Sequence, residues 1–95
     1  LREYKGENKN FEDVESSMFI RLSVKDEPGV LAKIAGTFGE NNVSIESVIQ
    51  EGRGDKAELV LVTHEAPEKD LNNSINQISS LDAVTTVTSL LRVYV

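Results

Sequence analysis

Asp26-Glu27-Pro28-Gly29-Val30-Leu31 joins two runs of different hydrophobic period, and that change of period decides the fold. Upstream, Ile20, Leu22 and Val24 alternate with Phe19, Arg21 and Ser23, the pattern of a strand with one covered face. Downstream, Val30, Ile34 and Phe38 recur at helical spacing, with Leu31 and Ala35 on an adjoining stripe. The stretch between them is therefore a strand-to-helix turn. Such a turn presents the unpaired N–H groups of the helix's first turn, at the positive end of its dipole, to whatever lies above. It is a natural seat for a small carboxylate. An acidic residue beside those donors suits an ammonium, and the two together fit the head of a free amino acid better than a phosphate.

Working outward, Gly39 and Asn41-Asn42 predict the end of the first helix, because both residue types tolerate left-handed backbone angles. Gly36 inside it costs about 1 kcal/mol against Ala and predicts close packing of helix on sheet. Val43, Ile45 and Ile49 alternate with Ser44, Glu46 and Gln50 in a second strand, which runs through Gly52-Arg53-Gly54-Asp55 into Glu58-Leu59-Val60-Leu61-Val62-Thr63. That is a hairpin signal, and the apolar return strand predicts cover on both faces, by helices on one and a partner on the other. Leu71, Ile75, Ile78 and Leu81 mark a second helix starting near Pro67, and the β-branched run from Val84 to Val95 a final strand. The order βαββαβ specifies an α+β, ferredoxin-like sandwich: a four-stranded antiparallel sheet with two helices on one face. The bare face presents Phe19, Arg21 and Ser23. Leu1 to Ser17 lack a core-forming period and read as a linker (residues 1–17) from a missing N-terminal part, with residues 18–95 as the folded module; Phe11 and Val14 are positioned to dock on a neighbour.

Ninety-five residues fit one domain, and a chain starting at Leu1 reads as a piece of something longer. The net charge of -6 opposes nucleic-acid binding, and no run approaches the ~18 apolar residues of a membrane span, so a soluble module is expected, its localisation to be inferred from function. The absence of cysteine excludes thiolate catalysis and Cys-type metal sites. His64, the only histidine, has no recognisable nucleophile or orienting partner, so no catalytic residue is assigned. Glu65, Glu68 and Asp70 complement the dipole at the start of the second helix rather than hold a metal. Gly52-Arg53-Gly54 is too short for a phosphate-binding loop and opens no helix. Arg21 and Arg92 are expected to form ion pairs across an interface.

Asp26-x-Pro28-Gly29-Val30-Leu31, followed by Ile34-Ala35, Asn42-Val43-Ser44-Ile45 and the βαββαβ order, resembles the ACT domain, a small-molecule-binding regulatory module of amino-acid-metabolism enzymes. Phe19-Ile20-Arg21-Leu22, Ser47-Val48-Ile49-Gln50, Ala57-Glu58-Leu59-Val60, Val62-Thr63-His64-Glu65-Ala66 and Leu90-Leu91-Arg92-Val93 look like the C-terminal ACT domain of bacterial homoserine dehydrogenases. The resemblance implies a catalytic, NAD(P)-binding part on the N-terminal side, no cofactor and no turnover in this fragment, and feedback inhibition by threonine in aspartate-family amino-acid biosynthesis. It also implies self-association, as a homodimer or higher. Its effector-binding positions fall on Asp26, Glu27, Pro28, Gly29, Val30 and Leu31, with Ser44 and Ile45 contributed by the neighbouring subunit. Ser44 would meet a threonine hydroxyl, and Val30, Leu31 and Ile45 its methyl. Asp26 serves equally as a helix N-cap, and both roles can hold at once. An ACT domain on another enzyme, such as phosphoglycerate dehydrogenase or threonine dehydratase, and an oligomerisation module without ligand remain open.

Overall fold

The computed structural model describes residues 14–94. Strands β1 (Glu15–Val24), β2 (Ile45–Glu51), β3 (Glu58–Thr63), β4 (Ala66–Pro67) and β5 (Val84–Tyr94) form one antiparallel sheet, with helices α1 (Val30–Glu40) and α2 (Glu68–Ser79) packed on one face. β1 is central, between β3 and β5, and β2 lies outside β3. This is the ferredoxin-like arrangement that the order of elements specifies, with a two-residue strand added. Ser16 pairs with Tyr94 on one edge and Ala66 on the other, so β4 shares β3's edge of β1 and extends β3 past a break in the ladder. At that break Thr63 is fully buried, and its Oγ1 accepts the Met18 N–H at 3.0 Å. The side chain takes the place of a ladder carbonyl, and a buried donor stays satisfied.

Burial follows the period of each element. Along β1, Ser16, Met18, Ile20, Leu22 and Val24 are buried while the residues between them are exposed or partly so. They meet Val30, Ile34 and Phe38 of α1, Leu71 and Ile78 of α2, and Leu59 and Leu61 of β3. Each such side chain removed from water is worth about 1.5–3 kcal/mol, and this one cluster fixes where both helices sit.

Two boundaries and one packing contact differ from expectation. Val14 is buried, its carbonyl accepts the Glu68 N–H at 2.8 Å, and β1 starts at Glu15, so residues 14–17 belong to the folded unit and not to a linker. The rest of the expected linker, and Phe11 with it, lies outside the described residues. α2 begins at Glu68, because Pro67 still has extended backbone and pairs with Glu15. Gly36 packs against nothing: it is exposed, and a Cβ there would meet no atom within 4 Å, so it marks no close approach of helix to sheet. α1 ends at Glu40, with Asn42 in the left-handed region at φ 63°, the conformation for which the Asn pair was read.

The face without helices carries Phe19 beside Val62 and Leu91, and Arg21 beside Val60, which in turn neighbours Ile49. Ile49, Leu91 and Val93 are each more than half exposed there. Arg21 does not wait for an interface. Its guanidinium donates to Glu58 at 2.9 Å and to Glu51 at 3.3 Å, tying β1 to β3 and β2, and Glu58 above all holds it more firmly protonated than usual.

Candidate effector site

The β1–α1 turn leaves its donors open. Gly29 occupies the N-cap position of α1 with φ 85°, a conformation that costs glycine little, and no side chain caps the helix. The first helical bond runs from the Lys33 N–H to the Gly29 carbonyl at 3.1 Å. Among the described residues no acceptor meets the N–H groups of Gly29, Val30, Leu31 or Ala32. Asp26 does not provide one. It stands three residues before the cap, and its Oδ2 instead accepts the Gly54 N–H at 2.9 Å, across to the tip of the β2–β3 hairpin.

That reach encloses a cleft of about 430 Å³, within the range of about 300–1,000 Å³ typical of small-molecule sites. Lys25, Asp26, Glu27 and Val30 form one wall, Gln50, Glu51, Arg53 and Glu58 the other, and Val24, Ala57 and Leu59 supply apolar contacts. Four carboxylates against two cations make the lining acidic. Glu58 is engaged by Arg21, and the Lys25 ammonium by Asp82 at 2.9 Å, which raises the lysine's pKa and lowers the aspartate's. Glu27 and the second oxygen of Asp26 have no hydrogen-bonded partner among the described residues. An ammonium brought to this cleft meets acids, and of the four residues with open amides Val30 is the one on its lining.

The hairpin wall was legible as a turn but not as part of a site. Its signal is the pair Gly52 and Gly54, both with positive φ, leading into a 3-10 turn over Gly54–Lys56. A Cβ on Gly52 would collide with the Lys56 carbonyl, so Gly52→Ala is expected to lower stability by about 1–3 kcal/mol. Its amide spectrum should change around residues 50–58 and leave the α2 end of the sheet untouched; denaturation and NMR together check this.

The chain does not gather all the expected site residues. Asp26, Glu27 and Val30 line the cleft, while Pro28, Gly29 and Leu31 shape the turn above it. Ser44 and Ile45 sit at the far end of β2, where Ile45 pairs with Thr63 and the Ser44 carbonyl accepts the His64 N–H at 2.9 Å. Glu51 at the other end of β2 borders the cleft, so a strand's length separates the two sets within one chain. Among the described residues no cluster of three metal-ligating side chains occurs, and Glu68 has another duty. It is 3% exposed, lies against Arg92 Nε, and accepts a 3.4 Å hydrogen bond from Ser16. Arg92 also donates to Asn72 at 2.7 Å. Within the chain Arg92 therefore joins β5 to α2.

Residues 18–83, from the first strand to the entry of the last, match the ACT domain family. The chain belongs to the ACT domain family. It is 40% identical over 83 residues to the homoserine dehydrogenase of Neisseria gonorrhoeae, a match covering 85% of this chain and 19% of that protein. A homoserine dehydrogenase structure from Thiobacillus denitrificans superposes with a TM-score of 0.74 at 31% identity, covering 88% of this chain and 18% of that one. The ACT domain of a Chlorobium tepidum GTP pyrophosphokinase shares the fold, with a TM-score of 0.59 at 15% identity, over 85% of this chain and 99% of that one. This ACT domain thus spans about a fifth of the length of the dehydrogenases it resembles. Among the described residues no helix is long and apolar enough to cross a membrane.

Proposed function

We propose that this ACT domain is the regulatory module of a cytoplasmic homoserine dehydrogenase and that it binds threonine at the β1–α1 turn, mediating feedback inhibition. The observation that carries the reading is the set of free amides from Gly29 to Ala32 beside an acid-lined cleft, a pairing of donors and carboxylates that matches an amino acid's two charged groups. The dehydrogenase relatives support the parent enzyme. NAD(P) belongs to the catalytic part of such an enzyme: Gly52-Arg53-Gly54 caps a hairpin, not a helix, and forms no cradle for a pyrophosphate.

The site calls for a second copy. β2 is an edge strand whose residues from Glu46 to Glu51 are all exposed, an invitation to antiparallel pairing with another β2. A two-fold axis near Val48 would set Ser44 and Ile45 of one copy beside the Glu51 end of the other, which is where the cleft opens. Threonine's hydroxyl and methyl would then meet Ser44 and Ile45 across the dimer. Binding that needs both copies favours one arrangement of subunits over another, and that difference is all that inhibition requires.

Calorimetric titration of the chain with threonine tests this, alongside melting curves. Saturable heat and a rise in Tm are expected, since a ligand at about 100 times its Kd adds roughly 2.7 kcal/mol to the native state. Clear binding of another amino acid with no heat from threonine rejects threonine as effector. A second reading, an association module without ligand, is favoured by the exposed Ile49, Leu91 and Val93 on the open face, and a Tm insensitive to every amino acid selects it.

A further inference from the structure

The cleft has a neighbour. A second hollow of about 510 Å³ lies on the other side of the hairpin tip, and both are lined by Val24, Lys25, Asp26 and Glu27. Beyond those shared residues the first runs to Gly52 and Arg53, the second to Gly54, Asp55 and Thr85. Between them stands the Asp26 side chain, bonded to the Gly54 amide at 2.9 Å. Among the described residues no other hydrogen bond joins residues 25–29 to residues 52–56. Nothing packs beneath the tip either: residues 51–56 are all exposed, and two left-handed glycines turn the chain there. The base of the tip is fixed where the Val24 N–H donates to the Ala57 carbonyl at 3.0 Å, and beyond that point one carboxylate holds the tip to the β1–α1 turn.

We propose that Asp26 is a specificity-determining residue, whose bond to Gly54 partitions the two hollows and so restricts the effector to an amino acid with a short side chain. The inference rests on the amino-acid reading of the first cleft. With the bond made, a ligand seated on the α1 amides has only the first hollow to fill. With the bond broken, the tip swings free, the hollows merge, and an aromatic ring gains room. Asp26 can keep the tip and still face an ammonium, because only its Oδ2 is taken.

The substitutions Asp26→Asn and Asp26→Ala separate these two duties. An amide oxygen still accepts from Gly54 but carries no charge; alanine does neither. The experiment measures amide exchange at Gly54 and calorimetric titration with threonine and with phenylalanine, on the 95-residue chain and both variants. In Asp26→Ala, Gly54 exchange should quicken by about tenfold or more, and the preference for threonine over phenylalanine should shrink by a similar factor. In Asp26→Asn the slow amide and the preference should both persist, while affinity for both amino acids falls together. A slow Gly54 amide in Asp26→Ala overturns the partition, and so does an unchanged preference alongside a fast amide. If the unaltered chain binds neither amino acid, the reading of the cleft itself fails and the size filter with it, a result distinct from loss of the filter alone.

Discussion

Replacing Arg92 by Leu is expected to lower the stability of the fold by about 3 kcal/mol, the lower end of the 3–5 kcal/mol that follows when one partner of a buried ion pair is removed. The lower end applies because the Arg92 side chain keeps 19% of its surface in solvent, whereas Glu68 keeps only 4%. The substitution strands the Glu68 carboxylate with a single 3.4 Å hydrogen bond from Ser16, and a charge so placed costs far more than an ion pair returns. The double variant Glu68→Leu with Arg92→Leu removes both charges and should recover most of the loss, since apolar residues of similar volume often replace a buried pair at little cost. Urea denaturation of the three proteins decides the matter. A single variant as stable as the original would show the pair to be ornamental, and a double variant no better than the single would assign the loss to packing.

Phe38→Ala should cost as much by another route, about 3–5 kcal/mol, from lost transfer energy and a cavity the core cannot close. Phe38 is fully buried against the central strands, and its carbonyl accepts the N–H groups of Asn41 and Val43, so the helix end and the loop into β2 are both fixed there. Native domains of ordinary stability hold about 5–15 kcal/mol, so either loss removes a large part of the reserve. No second substitution at a polar site should rescue Phe38→Ala. A loss under about 1 kcal/mol in the same denaturation series would mean that α1 is anchored elsewhere.

These two sites also mark what a linear reading captures and what it misses. Phe38 was legible because Val30, Ile34 and Phe38 keep helical spacing, and burial of a stripe is a local property of period. The turn at Asp26 to Leu31 was legible for the same reason, since it lies where one period gives way to another. Glu68 was read as a dipole complement, yet Leu71, Ile75 and Ile78 place position 68 on the same buried stripe, a signal that the residue's charge obscured. Its partner Arg92 lies 24 positions further along the chain, opposite Met18 in the sheet, and no period links the two. The residue type of Asp26 suits a helix cap as well as an effector's head group, and the structure uses it for neither within the chain. The competing donor, Gly54, is 28 positions away and becomes available only when the hairpin folds back. Short-range periodicity thus gives the scaffold and the seat, while the far wall of the cleft depends on contacts made only in three dimensions.

An NMR titration of the chain with threonine, following the amide protons of Gly29, Val30, Leu31 and Ala32, reaches the central claim most directly. A carboxylate accepting from those donors should move their resonances downfield in a saturable way, with smaller changes at Glu27 and around Gly52. Saturable binding that leaves those four amides unmoved would contradict the account, because the effector would then be seated elsewhere on the fold.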